Sequence, residues 1–268
     1  MMSTHQRLTI AALLEGKGRQ QRTNVLVRTP DEATAAAVAG IDMITVEGGT
    51  FGPAFRRAAP NSFFVSGIAF GSAVTTDENL RAAFDLLNQG ADAIYCVAGM
   101  RTLARLAEEG VPVISHVGLI PSKATWTGGL RAVGKTADSA VAIWQHVKRL
   151  EDAGVLGAEI EVVPAAIASE ISRRTRMFMI SMGAGSGCDA QYLFAEDILG
   201  SHRGHYPRHS KTYRDFATEH DRLQDERVAA FREFAADVAT LAFPTHDNLV
   251  AIADDELLKF LEALRLTE

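Results

Sequence analysis

Short apolar runs alternate with amphipathic stretches from about residue 23 to residue 200, and this alternation is the strongest constraint on the fold. Continuous apolar strands separated by helices are typical of a parallel sheet that is covered by helices. Seven strands are predicted, and Ile198–Leu199 is a candidate for a short eighth strand. The seven are Asn24–Val27, Met43–Val46, Phe63–Ser66, Ala93–Val97, Val113–His116, Ala158–Val162 and Phe178–Ser181.

This number of strands favours an α/β fold of the (β/α)8 TIM-type barrel class with C-terminal helices over an open doubly wound sheet. Helix patterns lie between the strands, and one of them has Thr76 as a candidate N-cap. From about residue 213 the chain is predicted to be helical, over Thr218–Leu241 and Asp254–Leu266. We expect a single domain over residues 1–268, with a barrel core at about 23–200 and a helical extension at about 213–268.

The composition excludes several classes of protein. A hydrophobic content of 47% indicates a buried core, and a net charge of −6 gives no reason to expect a nucleic-acid partner. No apolar segment is long enough to predict membrane insertion. Without a secretory leader, Cys96 and Cys188 are expected to be reduced thiols in a cytoplasmic protein.

Candidate catalytic residues stand at strand ends, where the active site of a parallel barrel lies. Glu161 has apolar neighbours, and Pro164 stops its strand. Burial would raise the pKa of this carboxyl and make it a better proton acceptor near neutral pH, whereas an exposed strand-end acid would simply face water. His116 also ends an apolar strand. It is either a site residue or a hydrogen-bonded structural residue.

Three loop segments carry weaker signals. The glycines of Gly183–Gly187 would let backbone N–H groups approach an anion or form a tight turn, and a short helix is predicted after them at Ala190–Asp197. The Gly-rich, basic stretch Thr127–Lys135 is either a lid or a plain mobile loop. The three histidines within Ser201–His209 could bind a metal, but arginines interrupt them, so we expect loop surface.

Taken together, these segments resemble the ketopantoate hydroxymethyltransferase family, which belongs to the phosphoenolpyruvate mutase/isocitrate lyase-type barrel superfamily. The resemblance runs in order from about Leu8 to Tyr213 and rests on several motifs rather than on one. The matching segments are His116–Pro121, Gly128–Lys135, Glu161–Pro164, Gly183–Gly185 and Gly200–Lys211.

The resemblance implies an enzyme that binds a small 2-oxo acid on Mg²⁺, with a glutamate that removes the C3 proton. The resulting enolate would attack the methylene group of the co-substrate 5,10-methylenetetrahydrofolate. On this basis Glu161 is the expected general base, and His116 is expected beside the substrate. The resemblance also implies a homo-oligomer.

The sequence departs from the family pattern around the metal. The first metal aspartate of the family falls on Glu47 or on Gly48, and the second falls on Gly67. A lysine and a glutamate of the next strand become Tyr95 and Val97. Because Mg²⁺ prefers oxygen ligands and usually takes one or two carboxylates, Glu47 is the candidate metal ligand that remains.

Three functions stay open from the sequence. The first is a ketopantoate hydroxymethyltransferase with an altered metal site, and the second is a divergent lyase, aldolase or isomerase that acts on another 2-oxo acid. The third is a non-catalytic paralogue. The candidate substrate-binding residues are Gly49 and Thr50 for the first function, Tyr95 and Arg131 for the second, and Gly183 and Gly185 of the glycine loop.

Overall fold

A computed structural model describes residues 7–266 and shows a closed barrel of parallel strands. Within these residues, eight strands pair in chain order, and the last returns to the first. The predicted (β/α)8 barrel is therefore confirmed. The strands are β1 (Arg22–Val27), β2 (Met43–Val46), β3 (Phe63–Gly67), β4 (Ala93–Tyr95), β5 (Val113–Gly118), β6 (Gly157–Glu161), β7 (Phe178–Met182) and β8 (Ala190–Phe194).

The chain divides into two compact units, a barrel unit that ends at Asp215 and a C-terminal unit that begins at Phe216. The expected organisation as a single domain stays a prediction. The helices of the barrel unit are α1 (Ile10–Gly16), α2 (Pro30–Val38), α3 (Pro53–Ala58), α4 (Thr76–Asn88), α5 (Met100–Glu108), α6 (Ala124–Thr127), α7 (Ala137–Asp152), α8 (Ala165–Arg174) and α9 (Ala195–Leu199).

The C-terminal unit consists of α10 (Phe216–Thr240) and α11 (Asp254–Arg265), close to the two helices that the sequence predicts there. Acidic side chains occupy the first turn of α11, where the helix dipole favours negative charge. In the described part of the chain, no helix has the length and apolar character required to cross a membrane.

The start of α4 differs by one residue from the prediction. Thr75, not Thr76, is the N-cap, because its hydroxyl accepts a hydrogen bond from the backbone N–H of Glu78 at 3.3 Å. The Glu78 carboxylate accepts in return from the backbone N–H of Thr75 at 2.8 Å. This reciprocal pair is a capping box, which satisfies two N–H groups that the helix leaves unpaired.

The eighth strand is the largest correction to the sequence prediction. Ile198–Leu199 lies in α9, and the segment predicted as a short helix from Ala190 begins instead with the strand β8. Aromatic residues favour strands, and Tyr192 is buried in the barrel interior. Pairing with both β1 and β7 gives the backbone of β8 partners on two sides, which removes the open edges of the sheet.

The barrel interior is apolar at the end where the strands begin. Inward side chains such as Met43, Phe63, Ile114 and Phe178 pack there together with Leu13 of α1. A second apolar layer lies between the outer face of the strands and the helices around them. Polar inward side chains lie toward the C-terminal ends of the strands. The barrel interior is therefore polar at that end and apolar at the other.

Two unusual backbone conformations fix the ends of β5 and β6. Val162 has a φ of 48°, a left-handed value that a β-branched residue rarely adopts, and Gly118 has a φ of +86°. A Cβ atom at Gly118 would overlap the carbonyl oxygen of Glu161 and lie 2.8 Å from a methyl group of Val163. That same carbonyl accepts a hydrogen bond from the N–H of Leu119 at 2.9 Å. The close approach of the two strands therefore depends on glycine.

Replacing Gly118 with alanine tests this close approach, and Gly110→Ala is its matched control. Gly110 has a similar φ of +82° with nothing within 4 Å, so alanine there adds only backbone strain of about 1–2 kcal/mol. At Gly118, the overlap of the added methyl group with the Glu161 carbonyl should lower the free energy of unfolding by about 1–3 kcal/mol beyond the loss in Gly110→Ala. Urea denaturation of both variants measures the difference, and equal losses would contradict this account of the β5–β6 contact.

Candidate active site

A cavity of about 510 Å³ opens at the C-terminal ends of the barrel strands. Residues from all eight strands line it, together with Pro207 and His209 from the loop that follows α9. Its polar lining includes Tyr95, His116, Glu159, Glu161, Tyr192 and His209. The two catalytic candidates of the sequence, Glu161 and His116, thus lie in one cavity.

The register between β5 and β6 places the central side chains. His116 pairs with Glu159, and Gly118 pairs with Glu161. Because alternate residues of a strand point to the same face, Glu159 and Glu161 both face the cavity. Sequence reasoning singled out Glu161 and missed Glu159, although the two-residue spacing between them was the available signal.

His116 lies between these two carboxylates. Its Nε2 atom is 2.6 Å from the carbonyl oxygen of Leu119, and since a carbonyl only accepts hydrogen bonds, Nε2 carries a proton. The same nitrogen is 3.2 Å from Glu161 Oε2. On the other side of the ring, Nδ1 is 2.7 Å from the Tyr95 hydroxyl and 3.4 Å from Glu159 Oε2. The imidazole therefore joins the two glutamates of β6.

Burial and these contacts shift the pKa values of the cluster. Desolvation lowers the pKa of His116, but hydrogen bonds and charges from Glu159 and Glu161 outweigh this effect and raise it to about 9. Burial raises the pKa of the Glu159 carboxyl above its ordinary value, and hydrogen bonds from His116 and Tyr95 offset only part of this rise. Burial and the two nearby carboxylates also raise the pKa of the Tyr95 phenol, which stays protonated.

The lining of the cavity is unusually acidic for a site that would take an anionic substrate. It contains Glu47, Glu159, Glu161 and Asp197, and its described residues include neither lysine nor arginine. Positive charge at the lining can therefore come from two histidines. One is His116 and the other is His209, which the sequence analysis assigned to loop surface but which lies at this cavity.

The remaining substrate-binding candidates lie outside the described lining of the cavity. The Thr50 hydroxyl donates to the carbonyl oxygen of Glu47 at 2.7 Å, within a turn that has Gly49 at a φ of +86°. Arg131 is exposed in the loop after α6. Gly183 packs under the ring of His209, and Gly185 packs against Ala165 of α8. Tyr95 is the substrate-binding candidate that the structure brings to the catalytic pair.

A family profile described as ketopantoate hydroxymethyltransferase matches residues 49–246. The chain belongs to the ketopantoate hydroxymethyltransferase family. A relative from Deinococcus radiodurans named 3-methyl-2-oxobutanoate hydroxymethyltransferase is 36% identical over 214 residues, which cover 78% of this chain and 73% of the relative. One of the same name from Kosmotoga olearia is 30% identical over 267 residues, covering 90% and 97%. Membership of the family makes this chain an enzyme of the hydroxymethyltransferase type.

Comparison with solved structures supports the fold alone. A putative phosphonomutase from Burkholderia cenocepacia J2315 superposes with a TM-score of 0.54 at 12% sequence identity. The match covers 70% of this chain and 93% of the other. It agrees with the barrel fold that the sequence predicts.

The metal position that the family resemblance implies is remodelled in this chain. A Cβ atom at Gly48 would overlap the backbone of Ala69, and one at Gly67 would lie 3.2 Å from the nitrogen of Gly48. The backbones at the ends of β2 and β3 thus pack against each other at Gly48 and Gly67. The resemblance places the second metal aspartate of the family on Gly67 and the first on Glu47 or Gly48. Restoring the missing side chains would require this contact to open.

Glu47, the candidate metal ligand, contacts a cation of the protein itself. Its carboxylate forms an ion pair with Nη1 of Arg28, and Nε of Arg28 lies 3.0 Å from Glu196. Within residues 7–266, no group of three or more His, Cys, Asp or Glu side chains is arranged to hold a metal ion. A single carboxylate beside a guanidinium does not fit Mg²⁺. The role of Glu47 as a metal ligand stays a prediction.

Metal titration can test the effect of Arg28. Mn²⁺ takes oxygen ligands as Mg²⁺ does, and its electron paramagnetic resonance signal reports binding. The wild type should bind Mn²⁺ weakly, whereas Arg28→Gln releases two carboxylates and should tighten binding at least about tenfold, or 1.4 kcal/mol. Adding Glu47→Gln to that variant should reverse the gain. Tight binding by the wild type that is lost in Glu47→Gln would instead establish Glu47 as a ligand.

Proposed function

We propose that the barrel unit catalyses the hydroxymethylation of 3-methyl-2-oxobutanoate with 5,10-methylenetetrahydrofolate, a step of pantothenate biosynthesis. One observation carries the proposal: in a chain of this family, the buried carboxylate of Glu161 opens into the cavity beside His116. Family membership favours this reaction over the other two readings of the sequence.

The shape and chemistry of the cavity support a branched 2-oxo acid as substrate. Apolar side chains surround much of the space and suit an isopropyl group, while the polar cluster that contains the candidate base lies on β4, β5 and β6. Apolar lining of this kind excludes water from a developing enolate. The apolar residues at the lining include Leu26, Val46, Ile68, Phe70, Val97 and Met182.

In the proposed reaction, Glu161 accepts the C3 proton of the 2-oxo acid, and the electron pair moves toward the keto oxygen as an enolate. The methylene carbon of the folate exchanges its two C–N bonds for a bond to C3 and a bond to a water oxygen. The proton taken from C3 and one proton of the water end on the two nitrogens of the tetrahydrofolate that leaves. Tyr95 remains protonated and lines the same cavity, where its hydroxyl hydrogen-bonds with His116 next to Glu161.

Three finer expectations from the sequence remain part of the proposal. These are a homo-oligomer, a cytoplasmic location and a requirement for Mg²⁺. For Mg²⁺, the contacts of Glu47 with Arg28 count against the expectation, so no step above depends on a metal. An assay of the proton-removal step with and without Mg²⁺ separates this question from that of the base.

Replacement of Glu161 tests its role as the base. In D₂O, the wild type should exchange the C3 proton of 3-methyl-2-oxobutanoate, a reaction that needs no folate and that proton NMR follows directly. Glu161→Gln keeps the size of the side chain but cannot accept the proton, so exchange should fall by about 10²–10⁴-fold. Circular dichroism should show that the variant remains folded.

The control for this experiment is Glu170→Gln, which removes a carboxylate from the exposed surface of α8, outside the described lining of the cavity. It should leave the exchange rate unchanged. Retained exchange in Glu161→Gln would remove Glu161 from the role of base. Absence of exchange in the wild type, with and without Mg²⁺, would contradict the proposed substrate.

A further inference from the structure

Glu159 is a buried carboxylate in the cavity that has no role in the proposed reaction. Its side chain is 6% exposed, and it lies in a cavity that already holds three other carboxylates. A buried carboxylate without a partner is costly, and additional negative charge repels an anionic substrate. The position of this side chain therefore calls for a compensating positive charge close by.

The hydrogen bonds around His116 indicate where that charge lies. Since Nε2 donates to the Leu119 carbonyl, the protonation of the ring depends on Nδ1. Nδ1 faces the Tyr95 hydroxyl at 2.7 Å and Glu159 Oε2 at 3.4 Å. If Nδ1 is protonated, it donates to the Tyr95 oxygen, and the Tyr95 hydroxyl can donate to an ionised Glu159. Each donor then has an acceptor, and the Glu159 carboxylate is the negatively charged group at the end of this series of hydrogen bonds.

Building on the proposed function, we infer that Glu159 is a positioning residue that keeps His116 in its doubly protonated form, so that the imidazolium supplies the positive charge that the substrate and its enolate require. The charge inventory of the cavity supports this inference, because the described lining has no lysine or arginine. The strand-end lysine that the family resemblance implies is replaced here by Tyr95. Positive charge is therefore supplied one strand further along the barrel, at His116 of β5.

The inferred role has two consequences for the reaction. A charged imidazolium whose Nε2 lies 3.2 Å from Glu161 Oε2 holds that carboxylate in place by the attraction of opposite charges. It also offsets the negative charge of the 2-oxo acid and of the enolate formed from it. Other titratable groups near His116 are Tyr95 on β4, Glu161 on β6, Tyr192 on β8 and His146 on α7.

The pH dependence of proton removal follows from this arrangement. The pKa of His116 is about 9, so the imidazolium is present at neutral pH and is lost as the pH rises through that value. Exchange of the C3 proton should therefore decline above about pH 9. Without Glu159, the pKa of His116 should fall toward or below the ordinary histidine value of about 6.5, and the decline should move to lower pH with it.

Histidine NMR tests the inference without any requirement for activity. Protein labelled with ¹⁵N-histidine reports the protonation of each ring nitrogen, and the spectrum of His116→Gln identifies the resonances of His116. We expect both nitrogens of His116 to be protonated at pH 7.5 in the wild type and to titrate near 9. A neutral His116 at that pH, with Nδ1 as an acceptor, would overturn the inference even if no variant folds.

Glu159→Gln is the decisive variant, and Glu151→Gln is its matched control. Both side chains are 6% exposed, but Glu151 lies at the end of α7 and pairs with Lys148 and Arg176. Glu159→Gln should lower the pKa of His116. If that pKa falls from about 9 to about 6.5, the protonated fraction of the ring at pH 8 falls about 30-fold, and binding of 3-methyl-2-oxobutanoate should weaken by up to that factor. Glu151→Gln should change neither quantity.

The outcomes separate this inference from the proposed function. If the wild type exchanges the C3 proton while His116 is neutral, the inference fails and the proposed reaction stands. If His116 is charged in a Glu159-dependent way but 3-methyl-2-oxobutanoate shows neither binding nor exchange, the proposed substrate fails. An unchanged pKa of His116 in folded Glu159→Gln would also contradict the inference.

Discussion

Closure of the sheet, through the pairing of β8 with β1, is the constraint on which the site depends. In a closed parallel barrel, the side-chain direction and register of each strand are fixed by both of its neighbours. Residues that are far apart in the chain then meet at one mouth at hydrogen-bond distance. Tyr95 of β4, His116 of β5 and Glu159 of β6 come together in this way, on three successive strands.

The buried polar side chains at this end of the barrel stabilise one another. Burying a single carboxylate or imidazolium in an apolar barrel is unfavourable, whereas groups that pair and share hydrogen bonds offset much of the desolvation cost. Leu119 contributes by fixing the proton on Nε2 of His116, and Gly118 contributes by allowing the backbones of β5 and β6 to approach. The left-handed Val162 ends the strand directly after Glu161. Backbone and side chains together hold the candidate base.

The family resemblance and the structure differ most where a metal is expected. Loss of an aspartate could leave a vacant space, but here the backbones at Gly48 and Gly67 pack together, and Arg28 contacts Glu47. The change therefore involves the shape of two loops as well as the identity of ligands. According to our inference, His116 supplies in this cavity the positive charge that a metal ion would otherwise supply to the enolate.

The sequence by itself determined the elements whose signals are local. The apolar strand β2 has the predicted bounds, and α11 begins at the predicted Asp254, because apolar periodicity and acidic residues in a first turn are local signals. The alternation of strand and helix identified the barrel, and strand-end position identified Glu161 and His116 as candidates. Glu159 was also within reach, since it lies two residues before Glu161 on the same strand.

Only the tertiary structure decided the features that depend on distant partners. β8 is a strand because β1 and β7 flank it, which a short segment after a glycine loop does not reveal. The ion pairs of Arg28 join residues 19 and 168 positions apart, and His209 reaches the cavity from a loop whose sequence indicates surface. The physical reason is the same in each case: hydrogen bonds and charges act through space, so the pairings become defined when the barrel closes.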